Sequence, residues 1–199
     1  MRVLLIDFND SFTAILAQSL RLAGHLENLE IKNIDFVFSE KIVNKYDGVV
    51  LGPGPGYVEE YTFVYKIIEE CIGNIPVLGI CLGHQIISKF FGAKLKNLNT
   101  VNHGSRVEVF HFSNTFLFNN ISTGFKVGLY HSWVVEQVSP VLQITSVSAV
   151  DNLIMSVRHK EYPIEGLQFH PESYMTEYGN TILKNWLYLV RHNTYDKNP

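Results

Sequence analysis

The sequence predicts an α/β protein: an open, mostly parallel sheet with helices on both faces and a β-rich insertion in its second half. Three observations carry this reading. Short apolar runs alternate with helical stretches as far as Gly92, the rhythm of βαβ units whose crossovers cover both faces of a parallel sheet. From 95 to 157 the pattern changes to Val, Ile and Phe runs broken by Gly, Asn and Ser turns. The chain has 199 residues, 46% apolar and only 18% charged, which is enough for one well-buried core and short for two.

Taken in order, residues 2–6 form an apolar strand, and 11–23 an amphipathic helix that stops at Gly24, with Asp10 and Ser11 as its N-cap. Residues 47–51 are a second strand, followed by a Gly/Pro loop and a helix over 59–71. A third strand over 77–80 runs into a helix over 82–91, stopped by Gly92. Within the β-rich part a strand is expected over 126–130; a further strand over 164–169 precedes a last helix over 176–190. Residues 1–190 are expected to make a single domain, and 191–199 a polar tail.

Composition excludes several classes of function. A net charge of −3 gives no electrostatic case for nucleic acid or an acidic membrane surface. The first apolar run meets Asp7, so it is too short for a signal peptide or a membrane span. Two cysteines, Cys71 and Cys81, make no disulfide framework, and a reducing cytoplasm fits them best. There is no Cys-x-x-Cys and no His-Glu-x-x-His, so no metal site is expected.

The unusual segments fall at one end of the strands. Asp7-Phe8-Asn9-Asp10-Ser11-Phe12-Thr13 follows the first strand, Gly52-Pro53-Gly54-Pro55-Gly56 the second and Cys81 the third. His131-Ser132-Trp133 follows the strand over 126–130, and His170-Pro171-Glu172 the last. In an open parallel sheet, ligands bind beyond the carboxyl ends of the strands. Gly79-Ile80-Cys81-Leu82-Gly83 has the form of a nucleophile elbow with sulfur in place of oxygen. Its glycines permit a tight turn, and the following helix start favours a thiolate. The Gly/Pro loop lacks both the P-loop Gly-Lys-Ser/Thr and the dinucleotide Gly-x-Gly-x-x-Gly. The N–H groups of Gly54, Gly56 and Leu82 suit an oxyanion instead. His170 carries an acid two residues on, Glu172, which can orient its ring as a general base. His131 and His103 are the competing bases, and His84 a supporting residue.

Together these residues resemble the class I glutamine amidotransferase family, over 4–187. The motifs are 51–56, Gly79-Ile80-Cys81-Leu82-Gly83-His84-Gln85 and Gly166-Leu167-Gln168-Phe169-His170-Pro171-Glu172-Ser173. Asp10-Ser11-Phe12-Thr13, Tyr130-His131-Ser132 and Thr176-Glu177-Tyr178-Gly179-Asn180 look like the small subunit of anthranilate synthase or aminodeoxychorismate synthase. The resemblance implies that Cys81 attacks the side-chain amide of glutamine, with His170 and Glu172 completing a triad. It implies glutamine contacts at Gly54, Gly56, Leu82, Gln85, Ser132 and Trp133, and no cofactor. It also implies a hetero-oligomer in which ammonia passes to a chorismate-binding synthase large subunit. Ser105, Gly52 and Trp133 depart from the family pattern. The alternatives are a free-standing γ-glutamyl hydrolase, the glutaminase subunit of another amidotransferase, and a silent scaffold, whose signature of a lost Cys or His is absent.

Overall fold

Val3, Leu4, Leu5 and Ile6 are consecutive and all fully buried, as expected of a strand covered on both faces. The computed structural model describes residues 1–35, 45–112 and 115–192, with backbone alone at 100–102. Most of the expected polar tail, 193–199, lies outside the described residues. In chain order the first half gives β1 (Arg2–Asp7), α1 (Thr13–Gly24), β2 (Asn28–Asn33), β3 (Gly48–Leu51), a 3-10 segment (Val58–Val64), α2 (Tyr65–Cys71), β4 (Val77–Ile80) and α3 (Leu82–Phe90). The second half gives β5 (Lys94–His111), a 3-10 turn (Phe116–Phe118), β6 (Gly124–Gln137), β7 (Leu142–Ser148), β8 (Ile154–His159), β9 (Ile164–Leu167) and α4 (Gly179–His192).

Among the described residues nine strands join one mixed sheet in the order β2-β1-β3-β4-β9-β8-β7-β5-β6. The five from β2 to β9 are parallel to their neighbours. From β9 outward the pairing is antiparallel, so the β-rich insertion continues the same sheet. Val3, Leu5, Val50 and Leu78 face a core built with Leu16 and Leu20 of α1 and Leu183 and Trp186 of α4. Leu4, Ile6, Val49 and Val77 face the opposite core, with Ile68 of α2 and Ile86 and Ile87 of α3. Helices therefore cover both faces, as the alternating pattern requires.

Four local expectations are corrected. The stretch over 59–71 is not one helix: a 3-10 segment, itself kinked where Tyr61 leaves helical geometry at φ −120°, runs to Val64, and only the short α2 after it is α-helical. β2 has no counterpart in the sequence reading, because an edge strand reading Asn-Leu-Glu-Ile-Lys-Asn is only partly buried and carries little hydrophobic signal. His131-Ser132-Trp133 lies inside β6 and not beyond its end. The register between β5 and β6 slips between Asn97 and Asn102 and again between His103 and Ser105, bending the hairpin alongside this triplet. The N-cap is also different. Asp10 Oδ1 accepts from Phe12 N–H at 2.8 Å, while Asp7 Oδ1 accepts from the Asn9 and Asp10 N–H groups and the Thr13 hydroxyl. No such bond is made by Ser11 at the helix start.

The crossing of α3 over the sheet has no slack. A Cβ on Gly79 would sit 2.5 Å from the Gly83 carbonyl, and one on Gly83 would collide with the Leu51 carbonyl oxygen. Overpacking of a fully buried site against backbone costs up to about 3 kcal/mol. Gly83→Ala is therefore expected to lower unfolding free energy by about 3 kcal/mol in urea titration. An unchanged midpoint would contradict this packing.

Candidate active site

Cys81 sits between β4 and α3 with φ +51° and ψ −101°, a conformation a non-glycine residue adopts only when its surroundings impose it. Its N–H is tied to the Leu167 carbonyl of β9 at 2.8 Å, and its carbonyl accepts from Gln85 N–H at 3.1 Å to open α3. The left-handed turn is thus on the cysteine itself. Gly79 and Gly83 contribute close approach, which corrects their expected role as turn-formers. The Gly/Pro loop lies against the elbow: a Cβ on Gly54 would meet Leu82 Cδ2 at 2.6 Å and Phe8 Cβ at 2.5 Å. Gly56 has φ +77°, turning the chain into the 3-10 segment beside the Glu60 carboxylate.

His170 follows β9 and is buried, with Nδ1 2.7 Å from Glu172 Oε1. The two were expected to share a side of an extended segment. They instead meet across a turn closed by Ser173 N–H on the His170 carbonyl at 3.2 Å, with Pro171 at the turn position that suits its fixed φ. Phe12 and Tyr130 pack on the imidazole, each with ring centroids 5.0 Å away. This aromatic box brings the loop after β1 and the strand β6 to the same ring. Glu172 Oε2 and His170 Nε2 have no aligned hydrogen-bond partner, which leaves Nε2 as the nitrogen available to the Cys81 sulfur. Burial opposes a charge on His170, but hydrogen bonding and charge from Cys81 and Glu172 outweigh it and push the imidazole up to about 10.

The competing histidines are placed otherwise. His103 is exposed and lies edge-on to Tyr130 with centroids 5.9 Å apart. His131 and His84 are buried with no aligned partner at either ring nitrogen. Burial, then the charge on His170, pulls His131 down to about 4. Burial, then His131, pulls His84 down to about 3, although the Gly166 backbone beside it favours a proton. Ser132 is half-buried on β6. Trp133 stacks on Tyr57, the residue after the Gly/Pro loop, with centroids 6.3 Å apart and planes at 22°. The Gln85 amide donates to the Trp133 carbonyl at 2.8 Å, joining α3 to β6.

Sequence reasoning misses Gln168. It is fully buried, and its Nε2 lies 3.7 Å from Cys81 Sγ. A signal existed: Gln168, His170 and Glu172 recur at every second position. Among the described residues no cluster of three His, Cys, Asp or Glu side chains could hold a metal ion. No helix among them is long and apolar enough to cross a membrane. A cavity of about 460 Å³ opens at the amino end of the strands, between Met1, Asn28, Asp47, Ile75 and Arg191, away from all these residues.

A strand, a strained cysteine and a helix beside a buried His–Glu pair are an arrangement for acyl transfer. The family model "Glutamine amidotransferase class-I" matches residues 4–190. The chain belongs to the class I glutamine amidotransferase family. This amidotransferase is 37% identical over 189 residues to the Haemophilus influenzae protein named for anthranilate synthase component II, covering 94% of this chain and 96% of that one. It is 40% identical over 179 residues to anthranilate synthase component 2 of Methanocaldococcus jannaschii, covering 90% and 88%. Its fold is similar to a crystal structure from Thermoplasma acidophilum whose protein is named for a GMP synthase subunit. The TM-score is 0.84 at 26% identity, over 96% of this chain and 94% of that one.

The depressed histidines oppose folding of the amidotransferase in acid. Unfolded chain takes up a proton on His84 near 6.5, whereas the folded protein resists it down to about 3, so stability falls as pH drops through that window. His84→Gln is expected to make the acid slope of unfolding free energy shallower by up to about 1.4 kcal/mol per pH unit. A slope identical to that of the parent protein would contradict the assignment.

Proposed function

We propose that this chain is the glutaminase subunit of a chorismate-using synthase. Cys81 attacks the side-chain amide carbon of glutamine, and the N–H groups of Leu82 and Gly54 take the charge that develops on its oxygen. His170 donates its proton to the departing nitrogen, and ammonia leaves a γ-glutamyl thioester on sulfur. Water then adds to the thioester with His170 as base, releasing glutamate and restoring the cysteine. Glu172 holds the ring and stabilises its charged form. Gly56, Ser132 and Trp133 shape the glutamine site, and Gln85 holds the Trp133 carbonyl in place. The observation that carries this reading is the positive φ of Cys81 beside the buried His170–Glu172 pair.

The subunit role is supported by relatives named as component 2 of anthranilate synthase that match this chain over most of both lengths. Such a protein delivers ammonia directly to its partner, since ammonia released into neutral water becomes ammonium and loses its nucleophilic pair. The partner is the large subunit of an anthranilate synthase or an aminodeoxychorismate synthase. The reaction takes place in the cytoplasm, where both free cysteines stay reduced.

The test mixes the protein separately with each large subunit, glutamine and chorismate. Anthranilate with one partner assigns it to tryptophan synthesis, aminodeoxychorismate with the other to folate synthesis, and both products give it a shared role. Cys81→Ala is expected to lower the glutamine-dependent rate at least about 1000-fold while the ammonia-dependent rate is kept. Equal loss of both rates, or glutamine turnover with no product from either partner, would contradict this division of labour.

A further inference from the structure

A line of buried amides ends on the Cys81 sulfur. Gln168 directly follows β9, and its backbone N–H donates to the Met155 carbonyl of β8 at 2.8 Å, so the residue is fixed by the sheet. Its side chain is fully buried. Gln85 Nε2 donates to the Trp133 carbonyl at 2.8 Å and to Gln168 Oε1 at 3.2 Å. Gln168 Nε2 in turn donates to Cys81 Sγ at 3.7 Å.

The direction of this line follows from its far end. A backbone carbonyl can only accept, so Gln85 must present its amino group to Trp133. That amino group also meets Gln168, which must therefore present its carbonyl oxygen. The Gln168 amino group is left facing sulfur, with no freedom to flip. The polarity is set by covalent structure alone, and no titratable group other than the thiol itself takes part in the line.

We propose that Gln168 is a catalytic residue, a fixed N–H donor that stabilises the Cys81 sulfur as an anion before attack and again when it leaves the thioester, with Gln85 as the positioning residue that aims it. The proposal rests on Cys81 being the nucleophile. A neutral donor complements His170: it needs no proton of its own, so it acts equally before and after His170 has given its proton away. Hydrogen bonds to a charged partner in a water-poor site are stronger than neutral ones. The 3.7 Å separation suits a large, polarisable sulfur.

The test reads the sulfur without glutamine. Gln168→Met keeps length and apolar bulk but loses the donor; Gln168→Glu keeps the shape and replaces the donor with an acceptor. Alkylation of Cys81 by iodoacetamide is followed by peptide mass from about pH 6 to about pH 10. The titratable groups coupled to this site are His170 with Glu172, and His131 and His84 behind them, with Asp151 acting on His131. All of these remain in both variants. Gln168→Met is expected to slow alkylation about tenfold at neutral pH, with the gap closing at high pH, where a thiol ionises unaided. Gln168→Glu is expected to be slower still, and Gln85→Met to fall between parent and Gln168→Met. Glutaminase kcat in complex with the synthase partner should drop by at least the same factor. A profile identical to the parent in either variant, with native circular dichroism, would overturn the proposal. Shifted alkylation profiles in a protein that never releases glutamate would instead sustain the Gln168 contact and overturn the glutaminase reading.

Discussion

The active-site geometry depends on the closeness with which α3 leaves β4. With no side chains at Gly79 and Gly83, the first turn of the helix lies directly on the Leu51 carbonyl and on the backbone of its own strand. The chain can reach that position only by reversing sharply at one residue, and the residue that takes the positive φ is Cys81. Everything else is arranged around this point. The Gly/Pro loop can touch Leu82 because Gly54 has no Cβ, and β9 holds the turn from the other side through the Leu167 carbonyl. A strained backbone of this kind persists only when neighbouring contacts over-determine it, and here they come from β3, β9 and α3 together.

The second constraint is dehydration. His170 and Glu172 are both buried, and a buried ion pair is stable only when each charge keeps its partner. Phe12 and Tyr130 close the imidazole off, while Glu172 and the cysteine sulfur supply the charge that favours its protonated form. His131 and His84 go the opposite way, because burial dominates at both and each is repelled by the next ring along. Three imidazoles in one neighbourhood thus divide into one that favours its proton and two that resist it. The one that keeps its proton is beside the thiol.

Much of this was legible in the sequence because it is local. The apolar run over 77–80 meeting Gly-x-Cys-x-Gly specifies a strand, a turn and a helix, and the structure has all three within a residue of the expected bounds. The pairing of His170 with Glu172 was also readable from a spacing of two, although a turn and not a strand brings them together. What was not legible is either edge-exposed or non-local. β2 shows almost no hydrophobic pattern because, among the described residues, one of its sides has no neighbouring strand. The pairing of His131-Ser132-Trp133 within β6 is with a stretch of β5 whose register slips, which no local pattern records. The contact of Gln168 with sulfur joins residues 87 apart in the chain, and the Gln85–Gln168 bond joins residues 83 apart. An amide at position 168 carries no charge or metal-like pattern to mark it.

The central claim is that the sulfur of Cys81 carries the acyl group. The most direct measurement is peptide mapping after rapid acid quench of the protein mixed with glutamine and its synthase partner. The account predicts a γ-glutamyl adduct on the peptide containing Cys81, accumulating when water attack is slowed, and none on buried Cys71, whose thiol burial pushes up to about 12. Glutamate released with no adduct on Cys81 at any time of quench, or an adduct on Cys71, would contradict it.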